Sequence, residues 1–331
     1  MSMRRSAASD PPIVATADTT SQFAADVAYY LTLNPRQLPS KYFYDPLGSA
    51  LFNAICELPW YPITRAERRL LGAHGREMFE HAAPVSRIVE LGPGNGEKLA
   101  TLVRTAPPAR GPLDVHLIDV SAAALSEAGR ALDALDDIRV VNHATTYEAG
   151  LAELAVEAQS RGRTIVLFLG SNIGNFDPPG ADAFLRTVRS TLGAGDLLLV
   201  GADLVKPEDA LLAAYDDPLG VTAAFNLNLL VRINRELGGN FSLDGFAHRA
   251  VWNVEASRVE MHLVCTRRQQ VRVPAAGLDL AFEEGDAIWT ESSYKYRLND
   301  LGRMLERAGF SLVQQWEAPA DGFALTLGRS I

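Results

Sequence analysis

The sequence predicts an α/β protein: a doubly wound parallel sheet carrying an inserted α+β domain. Three observations predict it. Between residues 86 and 200, five short apolar runs alternate with four helix-like stretches. Such alternation gives a parallel sheet with helices on both faces. The first run, Ile88-Val89-Glu90-Leu91, leads into a loop with glycine at Gly92, Gly94 and Gly96. Glycine lets a backbone take positive φ and approach a ligand without a Cβ. The alternation then stops at residue 206 and resumes at 296, which places an insertion between the fifth and sixth strands.

Residues 1–20 are rich in Ser, Ala and Asp, carry Arg4-Arg5 and lack the apolar stretch of a signal peptide. They read as a disordered tail. Residues 21–38 read as a helix, with Phe23, Val27, Leu31 and Leu33 as a partial apolar stripe. The run Lys41-Tyr42-Phe43-Tyr44-Asp45-Pro46-Leu47-Gly48 is aromatic and turn-rich, and 51–58 reads as a helix ended by Pro59-Trp60-Tyr61-Pro62. Strands are expected at 87–91, 115–118, 138–141, 164–169 and 196–200, with helices at 97–105, 122–133, 148–160 and 179–192. The insertion begins with helix-like text over 208–235 and continues with strand-like text at 249–255, 258–265, 270–273 and 278–282. A helix at 298–308 and strands at 311–316 and 322–327 complete the first domain. The expected division is therefore a tail (1–20), a main domain (21–205 and 296–331) and an inserted domain (206–295). An insertion there covers the carboxyl ends of the strands, where ligands bind in such sheets.

Composition excludes several classes. The formal charge is −9 and no basic run exceeds three residues, which argues against a nucleic-acid partner or an acidic membrane surface. No apolar run reaches the roughly 18 residues that span a bilayer. The two cysteines, Cys56 and Cys265, lie far apart and outside any metal-ligand cluster. That fits a reducing compartment, and the expected location is cytoplasmic. The six histidines have no ligand spacing, so no metal site is expected. There is no G-x-S-x-G nucleophile motif.

The glycine loop reads G-x-G-x-G, with Glu97 where a dinucleotide fingerprint has its third glycine. An NAD-dependent dehydrogenase is disfavoured on that ground. Glu90 and Asp119 are acids at the ends of the first two strands. Asp119 lies 23 residues beyond Gly96, a spacing suited to gripping ribose hydroxyls. Each acid also reads as a cap on the following helix, and Glu90 also as a holder of the loop or of Lys98. Phe168-Leu169-Gly170-Ser171-Asn172-Ile173-Gly174-Asn175-Phe176 follows the fourth strand. Its glycines and asparagines give a tight turn with amide groups aimed at the cleft, or else an Asx turn or cap. Tyr215-Asp216-Asp217 opens the insertion beside a turn, where a solvated helix end is the plainer reading of the acid pair. Glu291 and Ser293 stand two apart in an extended segment and so point to one side. A carboxylate and a hydroxyl there suit a donor-bearing ring such as imidazole; an exposed polar strand face fits as well. Met261 reads as core filler, and Lys295, among aromatics, as structural.

In this order, the blocks resemble the ergothioneine-pathway L-histidine Nα-methyltransferases, within the class I S-adenosylmethionine (SAM)-dependent methyltransferases. The resemblance covers nearly the whole chain from about residue 38. It rests on Lys41-Tyr42-Phe43-Tyr44-Asp45, Leu58-Pro59-Trp60-Tyr61, the glycine loop and Phe168 to Asn175. It rests also on Tyr215-Asp216-Asp217, Gly220-Val221-Thr222-Ala223-Ala224-Phe225-Asn226, Arg258-Val259-Glu260-Met261 and Thr290-Glu291-Ser292-Ser293-Tyr294-Lys295. The resemblance implies a SAM-binding sheet with an inserted substrate domain. It implies three methyl transfers to the α-amine of histidine, giving hercynine, with a functional link to a downstream sulfur-inserting enzyme. By the same carry-over, Asn175 and Tyr215 hold the substrate carboxylate and orient the amine, Gly170 lines the amine site and Tyr44 lies close by. Tyr61 bonds one imidazole nitrogen, Glu291 and Ser293 hold the other, and Met261 lies against the ring. Gly92, Lys98 and Asp119 contact SAM, with Glu90, Gly94 and Gly96 in the same loop region. One departure stands out. The family often has Gly-Asp-Phe after the third strand, where the acid reads the adenine amine; here the run is Ala144-Thr145-Thr146-Tyr147. Thr146 and Tyr147 are the expected cofactor contacts there, with a hydroxyl as a weaker partner than the acid. Two other readings compete: a methyltransferase for another amino acid such as tryptophan, and a non-catalytic SAM-binding partner of a sulfur-inserting enzyme.

Overall fold

The computed structural model describes residues 17–107, 112–156 and 162–331. The chain opens with α1 (Ala17–Tyr30), a two-residue strand β1 (Arg36–Gln37), a 3-10 turn at Ser40–Phe43, α2 (Pro46–Glu57) and α3 (Ile63–Ala82). Residues 17–20, expected in the tail, form the first turn of α1, and 1–16 lie outside the described residues. The helix expected over 21–38 stops at Tyr30. The Thr32 hydroxyl donates to the carbonyls of Ala28 and Tyr29, and Pro35 brings no amide donor to continue the ladder. Helix α3 was not anticipated. Its buried face includes Glu67 and Gly75 beside Leu70, Leu71, Met78 and Phe79, which dilutes the apolar stripe.

The alternating run follows: β2 (Val85–Leu91), α4 (Glu97–Val103), β3 (Leu113–Asp119), α5 (Ala122–Leu132), β4 (Ile138–Ala144), α6 (Tyr147–Val156), β5 (Arg163–Phe168), α7 (Pro178–Ser190) and β6 (Leu197–Asp203). The last residues of the helix expected over 148–160 lie outside the described residues. Next come α8 (Glu208–Tyr215), α9 (Val221–Leu237), β7 (Phe246–Asn253), β8 (Arg258–Cys265), β9 (Gln269–Val273), β10 (Leu278–Phe282) and β11 (Ala287–Tyr294). The chain closes with α10 (Leu298–Arg307), β12 (Phe310–Ala318) and β13 (Phe323–Ser330). The helix-like text over 208–235 is two helices, broken at Asp216–Gly220.

The main sheet has the order β12-β13-β6-β5-β2-β3-β4. Strands β2 to β6 run parallel, and β13 and β12 are added antiparallel. Successive residues face opposite sides, as a strand requires. Ile88, Ile165, Leu197 and Leu325 join the core under α3, α4 and α5. Val89, Val166, Leu198 and Ala324 join the core under α6, α7 and α10. This is the doubly wound sheet the sequence predicts. Chain order reverses between β2 and β5, so the loops after those two strands open side by side at the carboxyl edge.

A second sheet has the order β1-β11-β8-β7, and β9 pairs with β10. Strand β1 joins β11 in parallel, through Arg36 with Ile288 and Gln37 with Trp289. The N-terminal segment, expected within 21–205, thus belongs by its pairing to the second sheet. It is pinned there by Asp45, which caps α2 through the Gly48 amide at 2.7 Å. Asp45 also accepts from Asn228 (2.7 Å) and Arg235 (2.6 Å) of α9. The two ends of the insertion are clasped, since the amide of Val205 donates to the Tyr296 carbonyl and that of Tyr296 to the Asp203 carbonyl. No helix among the described residues is long and apolar enough to cross a membrane.

Candidate active site

The glycine loop follows β2. Gly92, Gly94 and Gly96 all take positive φ, between 57° and 77°. Two of them also answer to close approach. A Cβ on Gly92 would lie 2.6 Å from the Tyr147 hydroxyl, and one on Gly96 would lie 2.7 Å from the Ala128 backbone. Beneath the loop, Glu90 is fully buried and its carboxyl oxygens accept no hydrogen bond among the described residues. Burial pushes its carboxyl up to about 8, although Lys98 pulls the other way. Glu90 is therefore neither a cap nor the hydrogen-bond partner of Lys98. Asp119, at the end of β3, accepts from the Ser121 amide at 2.8 Å, and burial raises its pKa. The Thr146 side chain is turned to solvent and caps α6, accepting from the Ala149 amide at 3.3 Å. Tyr147 reaches the loop instead, packing edge-on to Phe168 with its hydroxyl over Gly92.

The partner of Lys98 is Glu67 of α3, a residue no motif announced. Its Oε2 accepts from Lys98 Nζ at 2.8 Å, and both its oxygens accept from the Gly170 amide, at 2.9 and 2.8 Å. Burial works against the Lys98 charge, but the Glu67 and Glu90 carboxylates hold its pKa above the ordinary value. Space for Glu67 depends on Gly201 of β6, where a Cβ would fall 1.9 Å from Oε1. One buried carboxylate thus joins the glycine-loop lysine to the loop after β5.

That second loop borders a cavity. Gly170 and Ser171 both take positive φ (73° and 59°), turning the chain sharply. Gly174 sits where a Cβ would meet the Tyr294 carbonyl at 2.7 Å, so the loop lies directly on β11. The N-terminal segment supplies Tyr44, Phe52 and Tyr61 to the cavity wall, and α8 and α9 supply Tyr215 and Phe225. The second sheet adds Met261, Glu291 and Ser293, with Met261 and Glu291 paired across β8 and β11. All eight residues expected around the substrate (Tyr44, Tyr61, Gly170, Asn175, Tyr215, Met261, Glu291 and Ser293) line this one cavity. Asn175 is exposed at its mouth. Asp217, read as solvated, is buried and caps α9 through the Thr222 amide at 2.7 Å.

The cavity is unusually rich in restrained polar groups. Burial raises the pKa of Tyr44, Tyr61 and Tyr215, which keeps all three hydroxyls protonated. Burial pushes the Glu291 carboxyl up to about 7, with Lys295 opposing. The Glu291 carboxylate takes no hydrogen bond among the described residues. Lys295, read as structural, is fully buried behind the wall. Its Nζ lies 3.0 Å from Asp203 Oδ2, and donates to the Tyr215 hydroxyl at 2.8 Å and to Ser293 Oγ at 2.9 Å. Burial opposes its charge, but Asp203 and Tyr215 together raise its pKa above the ordinary value. Asp203 ends β6 as Glu90 and Asp119 end β2 and β3; an acid at a strand end was the available signal.

Comparison with known proteins agrees with this geometry. The profile of the family described as histidine-specific, SAM-dependent methyltransferases matches residues 23–330. The chain belongs to this family. It is 41% identical to the histidine N-alpha-methyltransferase of Mycolicibacterium smegmatis, over 91% of this chain and 93% of that one. It is 40% identical to the protein of the same name from Mycobacterium tuberculosis, with the same two coverages. Ergothioneine biosynthesis protein 1 of Neurospora crassa is 28% identical, over 85% of this chain and 32% of that one.

The glycine loop of this methyltransferase fits SAM. Gly94 has open space where a Cβ would stand, and below it Glu90 presents two unpartnered carboxyl oxygens. A buried acceptor without a donor is costly unless a ligand supplies one.

Proposed function

We propose that the protein transfers three methyl groups from SAM to the α-amine of L-histidine, giving hercynine for ergothioneine synthesis. The observation that carries the reading is the cavity. Eight side chains and loop positions from distant parts of the chain converge on it, and a partnerless carboxylate, Glu291, stands on its wall. Glu291 and Ser293 take a ring N–H, Tyr61 the second ring nitrogen, and Met261 packs on the ring face. Asn175 and Tyr215 take the substrate carboxylate. Gly92, Gly94, Gly96, Lys98, Asp119 and Tyr147 hold SAM, with Glu90 accepting from it. When bound, SAM supplies an electrophilic methyl group on a positively charged sulfur.

The residues of the chain contribute position rather than strong acid–base chemistry. Holding both ends of the substrate turns the transfer into an aligned, effectively unimolecular step. An α-ammonium at a peptide terminus has a pKa of about 8; in a free amino acid the carboxylate raises it, so the amine must give up its proton in the site before each transfer. The neutral Tyr44 hydroxyl and the Gly170 loop flank the amine. The Tyr44 ring, edge-on to Phe52 and Phe225, offers a face to the growing cation. A site whose buried polar groups need partners rejects substrates that leave them unpaired. That favours histidine over an apolar ring.

The test is mass spectrometry of products after the purified chain meets SAM and each of the twenty amino acids. Histidine gaining three methyl groups, with little else modified, is the expected result. Turnover of tryptophan or another amino acid instead overturns the substrate. SAM binding without any turnover overturns the enzyme reading.

A further inference from the structure

Behind the cavity wall, Lys295 has used every proton it owns. An ammonium carries three N–H donors and no acceptor. Those of Lys295 meet Asp203 Oδ2 (3.0 Å), the Tyr215 hydroxyl (2.8 Å) and Ser293 Oγ (2.9 Å). Both hydroxyl oxygens are therefore acceptors toward Lys295. The Tyr215 hydroxyl also donates to Ser293 Oγ at 2.8 Å. Hydroxyl protons rotate to suit their partners, so either hydroxyl can donate across that gap. In both orders one of the two protons is spent between the hydroxyls. One proton remains, and both residues line the cavity.

We infer that Lys295 is a positioning residue: it leaves the Tyr215–Ser293 pair one proton for the substrate and so fixes which end of the site donates. This rests on the histidine reading above. The substrate carboxylate, beside Tyr215, can only accept. When that carboxylate binds, the Tyr215 proton turns from Ser293 to the carboxylate, and Ser293 donates to Tyr215 in return. Ser293 accepts from Lys295 and keeps one lone pair for the ring. Glu291, when ionised, also only accepts. The Glu291–Ser293 side of the ring site is thereby an acceptor-only surface that demands an N–H, while the Tyr61 hydroxyl serves the other ring nitrogen. Without Lys295 the hydroxyl of Ser293 is free to turn and donate, and the demand is relaxed.

Asp203 and Lys206 support the arrangement from behind. Asp203 Oδ1 accepts from Lys206 Nζ at 2.6 Å, and its amide donates to Ser171 Oγ at 3.0 Å. The device thus reaches from the second sheet through the end of β6 to the loop that holds Gly170.

The experiment compares histidine with thiazol-4-yl-alanine and thiazol-5-yl-alanine, whose rings place an acceptor nitrogen at either position and carry no N–H. kcat/KM is measured for all three substrates in wild type, Lys295→Met and the charge-balanced Lys295→Met/Asp203→Asn. The expected result is a tenfold or greater fall in the preference for histidine over the better thiazole, with the SAM Kd within twofold of wild type. A purely structural Lys295 lowers all three substrates together, and an unchanged ratio in a variant that binds SAM overturns the inference. The double variant supplies the ratio if the single one fails to fold. Failure of wild type to methylate histidine overturns the functional reading, a separate outcome from an unchanged ratio.

Discussion

The two halves of the cavity region are built by different means. The proposed cofactor half is mostly backbone: three glycines in one short loop, and acids at the ends of adjacent parallel strands. The proposed substrate half is almost wholly side chains, drawn from residues 44–61, 170–175, 215–225 and 261–293. The first is local in sequence and is held by the hydrogen bonds of the sheet. The second is assembled from remote pieces and must be held by buried polar contacts, such as Asn228 on Asp45 and Lys295 on Tyr215. A backbone cradle constrains few residue identities. A side-chain cavity constrains nearly every one, which is where substrate choice resides.

Glu67 is the place to break that division, because it belongs to both halves. Replacing it by Ala leaves Lys98 buried without its partner and the Gly170 amide without an acceptor. Breaking a buried ion pair in this way costs about 3–5 kcal/mol, read as a fall in unfolding free energy in urea. SAM affinity and histidine KM should both worsen in the protein that remains folded. A variant that loses only SAM binding would place Glu67 in the cofactor half alone.

Glu291→Ala sharpens the contrast from the substrate side. A site that hydrogen-bonds a ring N–H loses about 100-fold or more in kcat/KM when that acceptor goes, while SAM binding by calorimetry should stay within twofold. The Glu291 carboxyl is raised to about 7, so its charged, acceptor-only form grows as pH passes from 6 to 8. Wild-type kcat/KM should climb through that window beyond the gain from substrate deprotonation, and Glu291→Gln should remove the excess. A Gln variant with the wild-type profile would detach Glu291 from the ring.

The legibility of the sequence follows the same line. The parallel sheet was readable because each apolar run is short and bounded by turn residues, and because Glu90 and Asp119 end successive strands beside the glycine loop. The members of the substrate cavity were readable only through the order of distant blocks; Tyr44, Tyr61 and Met261 carry no local pattern that sets them apart from core. Glu67 was illegible for a physical reason. It lies on the buried stripe of a charged helix, where periodicity counts a carboxylate as solvent-facing. Lys295 was misread for a related one, since a lysine among tyrosines looks like packing until its three acceptors are located. Paired residues of strand β1 and its parallel partner β11, such as Arg36 and Ile288, stand 252 positions apart, beyond the reach of local pattern.

The smallest effect tests the claim that the cofactor half contains one strained side chain. Glu90 is buried with no donor to its carboxyl oxygens, and its pKa stands at about 8 against an ordinary 4.5. Between those values the folded protein binds more protons than the unfolded chain. Stability should therefore fall as pH rises from about 4.5 to about 8 and change little from this source outside that window. Glu90→Gln cannot ionise and should lose this slope. Its Tm should match wild type near pH 5 and exceed it by a few degrees at pH 8.5, while its SAM affinity falls at both. Saturating SAM should narrow the Tm gap at pH 8.5, because the ligand supplies wild type with the donor that the fold withholds. A gap that does not depend on pH would mean that Glu90 acts through shape alone, and the cofactor half would then be built from backbone and packing without a charged member.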